Sequence, residues 1–277
     1  MEKGVAVILQ AICLQDLDEY RASVRLESFC REFGVGRRDG RVFRFDATTR
    51  EKIKGILAAH NYDWRQDIST FNQMSRAEVS QLSGNEKDTS RPVRVGRVAI
   101  KSLPGRPLLF SSGEMHLPPG ANLDVSMEWI AANSLHESVL VIENWECFER
   151  SHEVGLLQEV EGNPLVVYRG DKDVYSTAHS YALLKVLKRP VIAFVDFDPA
   201  GILIAKTLPY FEVMLVPSDE VLNDLLKKGC AQRFSVQYSS HTVGTLESLE
   251  SSQLRHVWEL IKARARAAPQ EKMISKC

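Results

Sequence analysis

The chain has 277 residues, of which 44% are apolar and 26% charged, with a formal net charge of −1. That composition belongs to a folded globular protein and excludes disordered and fibrous classes. Five cysteines (Cys13, Cys30, Cys147, Cys230 and Cys277) form no CxxC pair, which argues against a zinc site or a disulfide framework and suits a reducing cytoplasm.

The apolar run at 5–14 is about half the roughly 20 residues that span a bilayer. It has one basic residue before it and no small-residue cleavage site after it, so neither a membrane association nor a signal peptide is expected. Charge is unevenly spread. Residues 21–106 carry 18 Lys and Arg against 10 Asp and Glu, and the remainder carries 17 against 26. A basic amino-terminal part joined to an acidic part suits nucleic-acid contact at one end and metal binding at the other.

In chain order, Leu17, Tyr20, Val24 and Phe29 predict a helix over 16–33, ended by Gly34 and Gly36. Val42, Phe43 and Phe45 predict a short strand. Thr48 with Glu51, and Ser75 with Glu78, are capping-box patterns that open two further helices. Short helices with a small basic strand segment fit a winged-helix-like α+β module. The polar, turn-rich stretch 83–92 reads as a linker.

Alternation predicts a strand at 93–100, a hairpin follows near 104–110, and residues 116–122 read as a Pro- and Gly-rich loop. A helix is expected at 125–135. Strands are then predicted at 139–142, 164–168, 191–195 and 213–216, with helices between them, including 177–187 and 202–208. This alternation predicts an α/β fold with a mostly parallel sheet and helices on both faces. Helical spacing at 246–267 predicts a carboxyl-terminal helix that docks on the core. The expected organisation is 1–85 winged-helix-like domain, 86–135 β-rich connector, 136–230 catalytic α/β domain and 231–277 helical tail.

The most informative stretch is Val-Ile-Ala-Phe-Val-Asp-Phe-Asp-Pro-Ala-Gly at 191–201. A buried strand ends in two carboxylates, and strand alternation lets Asp196 and Asp198 point one way and Phe197 the other. Two carboxylates held together need a cation, most simply Mg²⁺ with oxygen ligands. Glu143 closes the earlier apolar strand Val-Leu-Val-Ile, and ligands of such sheets bind at the carboxyl ends of the strands. Asp198 ahead of Pro199 also has the pattern of a helix cap, a reading that leaves Asp196 and Glu143 without a role.

A Glu closing one strand and an Asp-x-Asp closing a later one resembles the Toprim domain of topoisomerases, bacterial-type primases and related nucleases, over about residues 138–218. Val-Ile-Glu-Asn144, Tyr-Arg-Gly170 and Asp-Phe-Asp-Pro-Ala-Gly201 are similar to the Toprim branch of topoisomerase VI A subunits. They are more similar still to the nuclease subunit of Wadjet-type plasmid-defence systems, which works beside a condensin-like (SMC-type) motor. The resemblance implies a Toprim (Rossmann-like) fold after a winged-helix-like domain. It implies Mg²⁺ or Mn²⁺ held by Glu143, Asp196 and Asp198, and metal-dependent hydrolysis of double-stranded DNA in plasmid or phage defence. A homodimer would serve cleavage of both strands. Asn144, Gly170, Lys172 and Gly201 would orient the site or substrate, with Arg169 offsetting phosphate charge and Asp171 and Asp173 assisting a second metal.

Alternatives from the sequence are a non-catalytic DNA-binding adaptor that keeps a Toprim shell, and a tyrosine transesterase like topoisomerase VI A. For the latter, Tyr20 and Tyr62 precede the linker, but neither has the paired-Tyr context of that family. A haloacid-dehalogenase-type phosphatase also ends a strand in Asp-x-Asp, but that family carries Thr or Val where this chain has Ala200. His116, His136, His152 and His179 are scattered and suggest no catalytic set.

Overall fold

The structure, a computed structural model, describes residues 1–65, 67–83, 95–171 and 173–274. It divides into two compact units, Met1–Val95 and Gly96–Cys277. No helix among the described residues is long and apolar enough to cross a membrane.

The first unit runs α1 (Lys3–Leu14), β1 (Glu19–Arg21), α2 (Val24–Phe33), β2 (Arg37–Asp39), β3 (Val42–Arg44), α3 (Ala47–Ala59), a 3-10 turn at Ile68–Gln73 and α4 (Arg76–Ser83). The apolar run at 5–14 forms α1, whose Leu9 and Ile12 share a core with Leu26, Ile53 and Leu57. The strands form an antiparallel sheet in the order β1-β3-β2. Where one helix is expected over 16–33, the chain instead forms β1 and then α2. The Ser23 hydroxyl accepts the Leu26 N–H, and this cap sets the start of the helix at Val24. Asp46, not Thr48, caps α3 by accepting the Thr49 N–H at 2.7 Å. The Ser75–Glu78 capping box forms as expected, with reciprocal bonds of 2.7 and 3.3 Å. Nearly all of the expected linker lies outside the described residues.

The second unit begins with β4 (Arg97–Lys101), the hairpin β5 (Leu108–Phe110) and β6 (Gly113–Met115), β7 (Leu123–Ser126) and α5 (Met127–Asn133). It continues with β8 (Val139–Ile142), α6 (Trp145–Glu149), α7 (Gly155–Gln158), β9 (Leu165–Tyr168), α8 (Thr177–Leu187), β10 (Val191–Phe194), α9 (Pro199–Thr207) and β11 (Phe211–Met214). Four helices close it: α10 (Asp219–Lys227), α11 (Ala231–Gln237), α12 (Ser240–Glu247) and α13 (Ser252–Arg264).

Six strands make one sheet in the order β11-β10-β8-β9-β4-β7. The pairs from β11 to β9 are parallel, and β4 and β7 add antiparallel at one edge. All residues of β8 and β9 are buried, as continuous apolar strands covered on both faces should be. The stretch expected as a separate connector, 86–135, therefore supplies two strands of this sheet. The expected tail also belongs to the same core, through Leu254, Val257, Trp258 and Ile261 of α13. The helix expected over 246–267 breaks where Ser251 caps α13 by accepting the Leu254 N–H. Lys101 of β4 is buried and donates to the carbonyls of Phe148 and Glu149, both at 3.0 Å. It thereby satisfies the last turn of α6, and burial lowers its ammonium to about 8.

Close packing sets the identity of one glycine. A Cβ on Gly201 would stand 2.0 Å from the Asp196 carbonyl oxygen, so α9 can start against the loop only with glycine there. Gly201→Ala is expected to cost about 3 kcal/mol and to lower the melting temperature by about 10 °C in differential scanning calorimetry. Gly244→Ala, on α12 with open space around it, should be neutral or stabilise by up to about 1 kcal/mol.

Candidate functional site

Register brings the site together. Ile142 of β8 pairs with Phe194 of β10 and with Tyr168 of β9, so the three strands end side by side. Glu143, Val195 and Arg169 are the next residues of each. The Glu143 N–H donates to the Phe194 carbonyl at 3.0 Å, and the Asp196 N–H donates to Oε2 of Glu143 at 3.1 Å. Arg169 reaches within 3.5 Å of the Glu143 Oε1. Its Nε is buried with no hydrogen-bond partner.

Asp196 and Asp198 meet at one guanidinium, that of Arg233 on α11. Arg233 Nε lies 2.8 Å from Asp198 Oδ2, and an Arg233 terminal nitrogen donates to Asp196 Oδ2. Phe197 between them is fully buried and pairs with Ala268. Asp198 is 1% exposed. Its Oδ1 accepts the Gly201 N–H at 2.7 Å as the cap of α9, and its Oδ2 also accepts Gln237 Nε2 at 3.0 Å. Asp196 Oδ1 accepts the backbone N–H of Gln270 at 2.8 Å. Gln270 is fully buried and donates its side-chain amide to the Phe194 carbonyl at 3.0 Å. The carboxyl-terminal segment thus braces both the strand end and the aspartate.

Burial and the nearby Asp196 carboxylate push the Glu143 carboxyl up to about 7. Burial also raises that of Asp196, more than its bonds to Gln270 and Arg233 lower it. The pocket beside them is an open groove of about 470 Å³, lined by Glu143, Asn144, Trp145, Arg169, Asp171 and Asp196 among others. Trp145 stacks on Tyr175 at 5.8 Å and meets Tyr168 edge-on at 5.0 Å, which makes an aromatic wall.

The other expected residues have structural partners. Asn144 caps α6 by accepting the Cys147 N–H, and donates to Glu271 at 2.8 Å. Gly170 has φ +107, and a Cβ there would lie 2.5 Å from the Tyr175 carbonyl oxygen; the turn requires glycine. Asp171 accepts three backbone N–H groups, from 173 to 175. Burial pushes its carboxyl up, but these bonds outweigh that and hold it below the usual range. Asp173 is exposed on the groove, and Lys172 lies outside the described residues. Tyr62 is buried in the first unit's core. His136 bridges the backbone at Leu109 and Asn163, a packing role.

Sequence reading missed Arg233, Gln237, Gln270 and Glu271. They lie outside any strand-end motif, and no spacing signal marks them.

Among the described residues, no group of three or more His, Cys, Asp and Glu side chains is set to hold a metal ion. The donor chemistry fits a hard divalent ion in a sparser way. Mg²⁺ is commonly held by one or two carboxylates, with waters and phosphate oxygens completing the shell. Glu143 and Asp196 are two carboxylates on the open groove. Asp196 already bonds Gln270 and Arg233 and offers only its remaining lone pairs, while Asp198, 1% exposed, does not line the groove.

The fold and site define an α/β protein with carboxylates gathered at the ends of adjacent parallel strands. The chain belongs to the family described as "Domain of unknown function (DUF7281)", whose model matches residues 96–277, the whole of the second unit. A search of curated proteins gives no match.

The raised Glu143 carboxyl makes stability depend on pH. The folded protein holds this proton more tightly than the unfolded chain, so the stabilisation is full below about pH 4.5 and is lost as pH rises through about 7. In metal-free buffer, urea unfolding of the wild type should lose about 3 kcal/mol more than Glu143→Gln between pH 4.5 and 8. Equal pH slopes for the two proteins would contradict this.

Proposed function

We propose that the chain is a divalent-metal-dependent DNA endonuclease with a Toprim-type site and a winged-helix-like DNA-binding unit before it. The observation that carries the reading is the meeting of Glu143 and Asp196 at the ends of adjacent parallel strands, on an open groove beside Arg169. Helices interleaved with a small antiparallel sheet of order β1-β3-β2, which includes the β2–β3 hairpin, support the winged-helix-like reading of the first unit. DNA contact is supported by Arg21 and Arg37 on that sheet and Arg41 in the turn between β2 and β3, all exposed and with no ion pair among the described residues. A role in plasmid or phage defence, a homodimer and a condensin-like partner are proposed on the sequence resemblance alone.

Mg²⁺ or Mn²⁺ held by Glu143 and Asp196 would polarise the phosphodiester and stabilise charge on the leaving oxygen. Hydrolysis forms a bond from water oxygen to phosphorus, breaks the bond from phosphorus to one sugar oxygen, and releases a proton. The released proton leaves through the open groove, and the Asp196 N–H fixes Oε2 of Glu143, which orients this carboxylate to hold the ion. Arg169 adds positive charge beside it, where the negative phosphate would lie. Gln270 and Arg233 hold Asp196 in place. A water nucleophile is favoured over tyrosine, since Tyr62 is buried in its own unit.

One observation favours a second reading. Arg233 bridges the two aspartates and offsets one of their two charges, a contact that a non-catalytic DNA-binding adaptor with a Toprim shell would also keep. The readings separate in one assay. Purified protein with Mg²⁺ or Mn²⁺ should nick or linearise supercoiled plasmid, and Glu143→Gln or Asp196→Asn should lower the rate on the order of 100-fold or more. Metal-independent DNA binding with no cleavage, unchanged in Glu143→Gln, would favour the adaptor.

A further inference from the structure

Four donors from the chain converge on the aspartate pair, and one of them is a full positive charge. Arg233 and Gln237 sit one turn apart on α11, so both side chains reach Asp198 from one side. Gln237 also accepts the Ala200 N–H at 3.1 Å, which ties α11 to the first turn of α9. The Arg233 guanidinium spans from Asp198 to Asp196 and fills the space between them. Gly201 and Gln270 supply the backbone donors to the two outer oxygens. A metal ion bridging Asp196 and Asp198 would have to displace Arg233 and take over its bonds.

We infer that Arg233 is the resident cation of the Asp196–Asp198 pair, so that the site holds one divalent ion, at Glu143 and Asp196, and not two. The inference rests on the metal-dependent reading above and specifies its stoichiometry. Asp198 is then a positioning residue that holds Arg233 and the start of α9, and it is not a metal ligand. Arg233 takes the place that a second metal would occupy.

The test is a count of bound Mn²⁺ on the full chain, by electron paramagnetic resonance of free ion during titration. The wild type should bind one Mn²⁺. Arg233→Met should bind two, because the vacated pair can take an ion, and Arg233→Lys should stay at one. In EDTA, Arg233→Met should melt lower than the wild type, and Mn²⁺ should raise its melting temperature more. Asp198→Asn, which keeps the capping oxygen, guards against a misfolded Arg233 variant. It should still bind one Mn²⁺, with affinity within about 3-fold of wild type. Two ions on the wild type, one ion on folded Arg233→Met, or loss of the ion in Asp198→Asn would overturn the inference while leaving a metal-dependent site intact. No ion on any of these proteins would overturn the inference and the metal-dependent reading together.

Discussion

Three carboxylates gathered at the ends of two buried strands repel one another, and the second unit is arranged around relieving that repulsion. Asp198 is satisfied completely, by a helix N-terminus, an amide and a guanidinium. Asp196 is satisfied by the same guanidinium and one backbone N–H. Glu143 is left with a single backbone donor and a more distant arginine. The relief is graded from the buried end of the cluster to the groove. The least satisfied carboxylate, Glu143, lines the groove, and burial and a like charge raise its proton affinity. A site poised in this way suits a cation or a proton arriving from the groove.

The carboxyl-terminal part of the chain is needed for this arrangement. Arg233 and Gln237 reach the aspartates from α11, and Gln270 reaches Asp196 from the segment after α13. That segment is pinned by paired backbone bonds between Phe197 and Ala268 and between Cys230 and Ala267. The strands present the acids, and elements that follow them in sequence hold the acids still. The family match over residues 96–277 covers both parts.

The strands and the acid positions were legible because a parallel sheet leaves a strong trace. Val139–Ile142 and Val191–Phe194 are apolar runs that end abruptly in Glu or Asp, and the structure ends both strands there. Local chemistry was legible where caps dominate, as at Ser75 and Glu78. It misled where two signals competed. The apolar stripe through Leu17 and Tyr20 suggested one long helix, but the Ser23 cap won. The partners of the acids left no trace. Arg233 lies 35 residues past Asp198 in a stretch without a motif, and Gln270 acts partly through its backbone N–H, which every residue except proline has. The sequence offers only a metal as the cation for Asp196 and Asp198, and Arg233, which contacts both, is invisible to it. Asn144 and Gly170 both line the groove, and the cap on α6 and the tight turn that hold them there left a sequence signal only as residue type.

The central claim is that one divalent ion belongs at Glu143 and Asp196 while Arg233 keeps its bond to Asp198. Anomalous diffraction from crystals grown with Mn²⁺ addresses it directly. The account predicts one anomalous peak within ligand distance of the Glu143 and Asp196 carboxylates, with Arg233 still bonded to Asp198. A peak between Asp196 and Asp198 with Arg233 swung away, or no peak at saturating Mn²⁺, would contradict it.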